Sequence, residues 1–143
     1  MQRSISKQSS LVKTPQILCI HLNRVTFSQM GTEILNDTPV LFPNVLDLAS
    51  CIESISPGSQ RYRLASLVEH HGFTPHSGHY VAYKKLISDF PNDLKPNVYS
   101  QQCSPKWIRA NDEQITILNQ EDVLNRTQGA YLLFYEKIPS NEQ

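Results

Sequence analysis

The stretch Arg61–Lys85, RYRLASLVEHHGFTPHSGHYVAYKK, decides the fold. Its flanks, Arg61–His70 and Gly78–Leu86, are rich in Val, Leu and Tyr, residues that suit a half-buried pleated surface. Residues 71–77 between them are polar and carry Gly72 and Pro75. The pattern predicts two antiparallel strands joined by a loop. Four of the chain's five histidines, His70, His71, His76 and His79, fall in or beside that loop. Loops held by rigid strands are where functional sites concentrate.

Strand signals continue on both sides. Gln16–Val25 (QILCIHLNRV) is a compact apolar run behind Pro15 and predicts a buried strand, with Cys19 as a small buried hydrophobe. Glu33–Phe42 predicts a looser extended stretch reached through a turn at Gly31. Phe42–Leu48 reads as a bend, because Pro43 cannot donate to a ladder. Pro57-Gly58 marks a turn within Ser54–Gln60. Lys106–Ala110 and Gln114–Leu118 predict short strands about a turn at Asn111-Asp112. Gln120–Asn125 reads as a short helix capped by Asn119. Ala130–Lys137 (AYLLFYEK) closes as a buried strand. Residues 87–105, with Pro91, Pro96 and Pro105, are expected to form a long inserted loop. The sum is an α+β chain, mainly antiparallel sheet.

Composition narrows the function classes. Thirteen basic residues balance thirteen acidic ones over 143 residues, which excludes a large uniform basic field for nucleic acid. No apolar run approaches the roughly 20 residues of a membrane helix. Cys19, Cys51 and Cys103 are too far apart in sequence for a zinc knuckle or a disulfide framework, so a reducing compartment is expected.

Three readings of the histidine segment compete. A zinc site would need Glu69, His71 and His79 to converge without any nearby cysteine, whereas structural zinc takes four N or S ligands. Alternatively, the histidines are ordinary polar loop residues. The third reading is a general base at His79, where Gly78 removes a side chain and lets a substrate backbone come close. Such a base needs an orienting acceptor on its other ring nitrogen. Asn111 and Asp112, after the lone Trp107, supply both candidate types.

Six blocks in order, PQILCIHLNRV, FPNVLDL, YRLASLVEHHG, HSGHYVAYKK, KWIRANDEQI and AYLLFYEK, resemble the C-terminal half of a ubiquitin-specific protease, a papain-like deubiquitinating cysteine protease. The resemblance covers residues 15–138, with 1–14 an N-terminal segment and 139–143 a tail. It implies the palm-like, C-terminal half of the papain-like fold, with no cofactor and no metal. It makes His79 the catalytic base and Asn111 the third member of the triad, with Asp112 assisting. His70, Gly72, Gly78 and Tyr80 would line a channel for the Gly-Gly tail of ubiquitin. The loop His71–Gly78 and the segment Thr26–Glu33 resemble the mobile loops that close over that tail.

The family's Gly-Asn-Thr-Cys-Tyr nucleophile block has no counterpart here, nor have its zinc-binding CxxC pairs. The chain is therefore expected to be a fragment, the product of a truncated gene model or a partner half, inactive alone, with an exposed apolar sheet face. Expected partners are ubiquitin, ubiquitinated proteins and the Cys-bearing half. The alternative is a non-catalytic ubiquitin-binding or scaffold module of the same fold. VEHHG, HSGHY and CIHL look most like the branch anchored in the mitochondrial outer membrane, although that branch carries Ser where Asn111 stands. The expected location is cytoplasmic or nuclear, or the cytosolic face of that membrane through an anchor elsewhere.

Overall fold

The computed structural model describes residues 7, 9–52, 60–74, 77–86 and 105–139. Seven strands form one sheet: β1 (Ile17–His21), β4 (Val45–Asp47), β5 (Arg61–Thr74), β6 (Ser77–Lys85), β7 (Lys106–Asn111), β8 (Gln114–Asn119) and β9 (Ala130–Lys137). Its order is β1-β9-β5-β6-β7-β8, every pairing being antiparallel. Short β4 extends the β6 side of the sheet by pairing with the first residues of β5, Val45 opposite Arg63. The strands β2 (Val25–Phe27) and β3 (Glu33–Leu35) form a separate two-stranded arm. A 3₁₀ turn at Ala49–Cys51 and the helix α1 (Gln120–Leu124) complete the described elements.

Alternation along each strand sorts side chains to two faces. On one face Tyr62, Leu64, Leu67, Val81, Tyr83, Trp107, Leu133 and Tyr135 are buried with Phe42, Leu48 and Val123. Two buried phenols tie outlying loops to this core: Tyr62 donates to the Pro15 carbonyl and Tyr135 to that of Pro43, 2.7 Å away. The opposite face has no described layer over it and exposes Ile17, Tyr80, Ile115 and Ile117.

The strands β5, β6, β7, β8 and β9 form where the sequence pattern puts them. Four differences have physical causes. The run Gln16–Val25 is not one strand: β1 ends at His21, and Arg24 turns inward before β2 starts. β1 pairs only with β9, so it is an edge strand, and Cys19 is exposed rather than buried. The bend expected at Phe42–Leu48 contains β4, because the residues after Pro43 have amides available for the ladder. The polar segment 71–77 is largely strand, since β5 runs to Thr74 and β6 begins at Ser77. The turn expected at Gly31 is there, with φ 77°. The turn at Pro57-Gly58 and the inserted loop, save for Pro105, lie outside the described residues.

α1 starts as its sequence suggests. The Asn119 backbone N–H donates to the Asp122 carboxylate at 3.1 Å, and the Asn119 side chain accepts from the N3 amide, closing a capping box.

Trp107→Ala should lower unfolding stability by about 3–5 kcal/mol in a denaturant titration, because the whole indole is buried. Ile117→Thr, on the exposed face of β8, should stay within about 0.5 kcal/mol. Burial pushes the Tyr135 phenol up from 10.0 to about 12. The unfolded chain ionises it first, so stability should fall as pH rises from about 10 to 12. Tyr135→Phe should flatten that alkaline limb.

Candidate active site

A one-residue slip in β5 builds the site. Leu64 faces Tyr135 of β9 and Ser66 faces Phe134, so Ala65 is an extra residue. Such a bulge moves the following side chains to the other face. Tyr62 and Leu64 point into the core before it; Leu67 and Glu69 do so after it. His71 continues that series. It pairs across the ladder with His79 of β6, which precedes the core residues Val81 and Tyr83.

On the other side of β6, β7 pairs through Ala82 and Ala110. The next residue, Asn111, lies diagonally across from His79. Its side-chain carbonyl Oδ1 lies in close hydrogen-bond contact with His79 Nε2. An amide oxygen only accepts, so Nε2 carries the hydrogen and Nδ1 is the basic nitrogen. Asp112 Oδ2 is 3.8 Å from the same Nε2, and its side chain is 80% exposed against 43% for His79. Asn111 therefore makes the orienting bond, and Asp112 stands behind it as a solvated charge. Asp112 has φ 52° and opens the two-residue turn into β8. Asp tolerates that left-handed conformation because its short polar side chain bonds locally.

His79 opens on a cleft of about 650 Å³. One wall is the loop end of β5 and β6: Glu69, His70, His71, Gly72, Ser77 and Gly78. The other is Arg24 with Leu35, Asn36 and Asp37, and Gln128 and Gly129 close the cleft. Arg24 rivets the second wall to the sheet. Its guanidinium donates to the carbonyls of Ala130 (3.1 Å), Thr127 (3.1 Å), Asn36 (3.4 Å) and Thr38. Burial pushes the Arg24 pKa down, and Asp37 opposes that shift.

Of the channel residues expected from sequence, His70, Gly72 and Gly78 border the cleft and Tyr80 does not. Tyr80 is 53% exposed on the opposite face, in tilted ring contact with His70 at 4.8 Å and Tyr131 at 5.7 Å. The glycines also have a different task from the one their sequence suggests. A Cβ on Gly78 would lie 2.1 Å from His70 Nε2, and one on Gly72 would lie 2.4 Å from the Ser77 carbonyl. They seat the His70 ring and let the two strands close on each other.

Sequence reasoning missed Arg24, whose position inside an apolar run was its one signal. It also passed over Glu69 except as a zinc ligand. Glu69 and Arg24 are the buried charged residues among those described. The Tyr83 hydroxyl donates to Glu69 at 2.6 Å; burial chiefly, and then this bond, raise the Tyr83 pKa. Among the described residues no three His, Cys, Asp or Glu side chains are grouped to hold a metal ion.

A family model described as ubiquitin carboxyl-terminal hydrolase matches residues 2–135, and the chain belongs to that family. Ubiquitin carboxyl-terminal hydrolase 10 of Arabidopsis thaliana is 32% identical over 142 residues, 99% of this chain and 13% of that protein. Ubiquitin hydrolase B of Dictyostelium discoideum is 33% identical over 135 residues, 94% of this chain and 26% of that protein. The chain thus spans about a quarter or less of the length of these relatives. A solved SAGA DUB module of Ubp8, Sgf11, Sus1 and Sgf73 bound to monoubiquitin contains a similar chain. It has TM-score 0.73 and 26% identity, over 92% of this chain and 25% of that one. These likenesses fit the papain-like α+β fold.

Gly78→Ala should cost about 1–3 kcal/mol by overpacking against His70, read as a lowered denaturation midpoint. The double variant Gly78→Ala/His70→Ala should recover part of that loss.

Proposed function

We propose that this chain is the His/Asn-bearing half of a thiol-dependent deubiquitinase that hydrolyses isopeptide or peptide bonds at the C-terminal glycine of ubiquitin. The observation that carries the reading is the His79–Asn111 bond at the mouth of the cleft. An imidazole held with Nε2 protonated and Nδ1 left basic, at a residue lining a cleft, suits taking a proton from a nucleophile placed there. Neighbours solved with monoubiquitin or ubiquitin aldehyde support ubiquitin as the substrate.

In this mechanism a cysteine thiol gives its proton to His79 Nδ1, and the thiolate attacks the glycine carbonyl. His79 then returns the proton to the departing lysine amine. A water attacking the thioester gives its proton to the same nitrogen; the tail is freed as its carboxyl group, and the departing cysteine thiolate takes the proton back. Asn111 keeps the tautomer throughout. Cys19 and Cys51 are exposed on β1 and the 3₁₀ turn, and neither borders the cleft. Cys103 lies outside the described residues. On this reading the nucleophile comes from a Cys-bearing half of the family's pattern, and this chain alone is inactive. A cytoplasmic or nuclear setting goes with this chemistry. The mitochondrial-outer-membrane branch finds no support in the likenesses described and is not part of the reading.

The test joins this chain to a Cys-bearing half of a related catalytic domain and follows release of a fluorophore amide from ubiquitin. Turnover is expected, with His79→Ala reducing it roughly 10²–10⁴-fold and Asn111→Ala reducing it more than Asp112→Ala. Binding of ubiquitin without turnover would replace the enzyme reading by that of a binding module. An unchanged rate for His79→Ala would remove His79 as the base.

A further inference from the structure

Glu69 holds a carboxylate where an apolar side chain would fill the same space without desolvating a charge. Its side chain is 6% exposed, and the surroundings are shaped to accept it. Tyr83 donates to Oε2 at 2.6 Å, and a Cβ on Gly129 would lie 2.5 Å from Glu69 Cγ. The same Oε2 is 3.0 Å from Nε2 of His71, whose side chain is 48% exposed. A buried acid therefore ends on an open imidazole, and both border the cleft that His79 serves.

The chemistry of the pair limits what the imidazole offers. An ionised carboxylate only accepts, so His71 Nε2 carries the hydrogen and Nδ1 of the neutral ring is an acceptor. An acceptor fixed in the wall of a cleft complements the N–H groups of an extended backbone. A glycine tail brings those groups closest, having no side chain in the way.

We infer that His71 is a substrate-contacting residue that accepts a hydrogen bond from a backbone N–H of the glycine tail, and that Glu69 is the positioning residue that sets its tautomer and direction. This rests on the proposed function and deepens it, naming a second imidazole of the site with a role distinct from catalysis.

The test adds ubiquitin to this chain labelled with ¹⁵N-histidine and follows the ring nitrogens of His71 and His79. The His71 Nδ1 resonance is expected to move on binding, together with signals of His79. His71→Ala, at a half-exposed position, should weaken ubiquitin binding roughly three- to tenfold, the worth of one hydrogen bond. Glu69→Gln keeps the volume and an acceptor for Tyr83. It should weaken binding by a similar factor in the native chain and add nothing in the His71→Ala background. Movement at His79 with His71 Nδ1 unmoved overturns the inference and leaves the proposed function standing; movement at neither overturns both. Equal weakening by Glu69→Gln in both backgrounds overturns the positioning role of Glu69.

Discussion

The extra residue at Ala65 in β5 is the constraint on which the rest of the site depends. β5 is held on one side by β9 and on the other by β6, so its side chains cannot choose their face independently. Before the bulge the core takes Tyr62 and Leu64; after it the core takes Leu67 and Glu69. Without that slip, alternation from Tyr62 would send His70 inward and His71 outward. The pairing of His71 with His79 would then carry His79 to the exposed face. A side-chain period of two makes the consequence all-or-none.

The cleft itself is a set of close approaches between elements distant in sequence. Gly72 and Gly78 allow the β5–β6 end to fold over the His70 ring, and Gly129 leaves room for the Glu69 carboxylate. Arg24 joins the root of the β2–β3 arm to the start of β9 by donating to carbonyls on both sides. Each is a local cost to the chain, a buried charge or a flexible glycine, and each is offset by contacts at the cleft wall. Stability is concentrated elsewhere, in the aromatic core of Tyr62, Tyr83, Trp107 and Tyr135.

The antiparallel sheet was legible because its strands announce themselves. AYLLFYEK and GHYVAYKK are rich in aromatic and branched residues, and the turn at Asn111-Asp112 separates two matching runs. His79 and Asn111 were legible as residue types in the right order. The division of QILCIHLNRV into an edge strand, an inward arginine and an arm was not, because a continuous apolar run looks the same whether a strand is central or at an edge. Tyr80 was implied as a channel residue by the family resemblance; it stands in register with His70 on the outer face, and of the two only His70 borders the cleft.

The class of fold, the family and His79 as the imidazole could be read from the residues alone, with Asn111 and Asp112 both standing as its candidate partners. Those properties live in local composition and in the order of blocks along the chain. Only the tertiary structure decided that Asn111 rather than Asp112 bonds the ring, that the glycines seat His70, and that Glu69 ends on His71. Each of those depends on cross-strand register and on a bulge, and register is set by packing between strands that lie far apart in the chain.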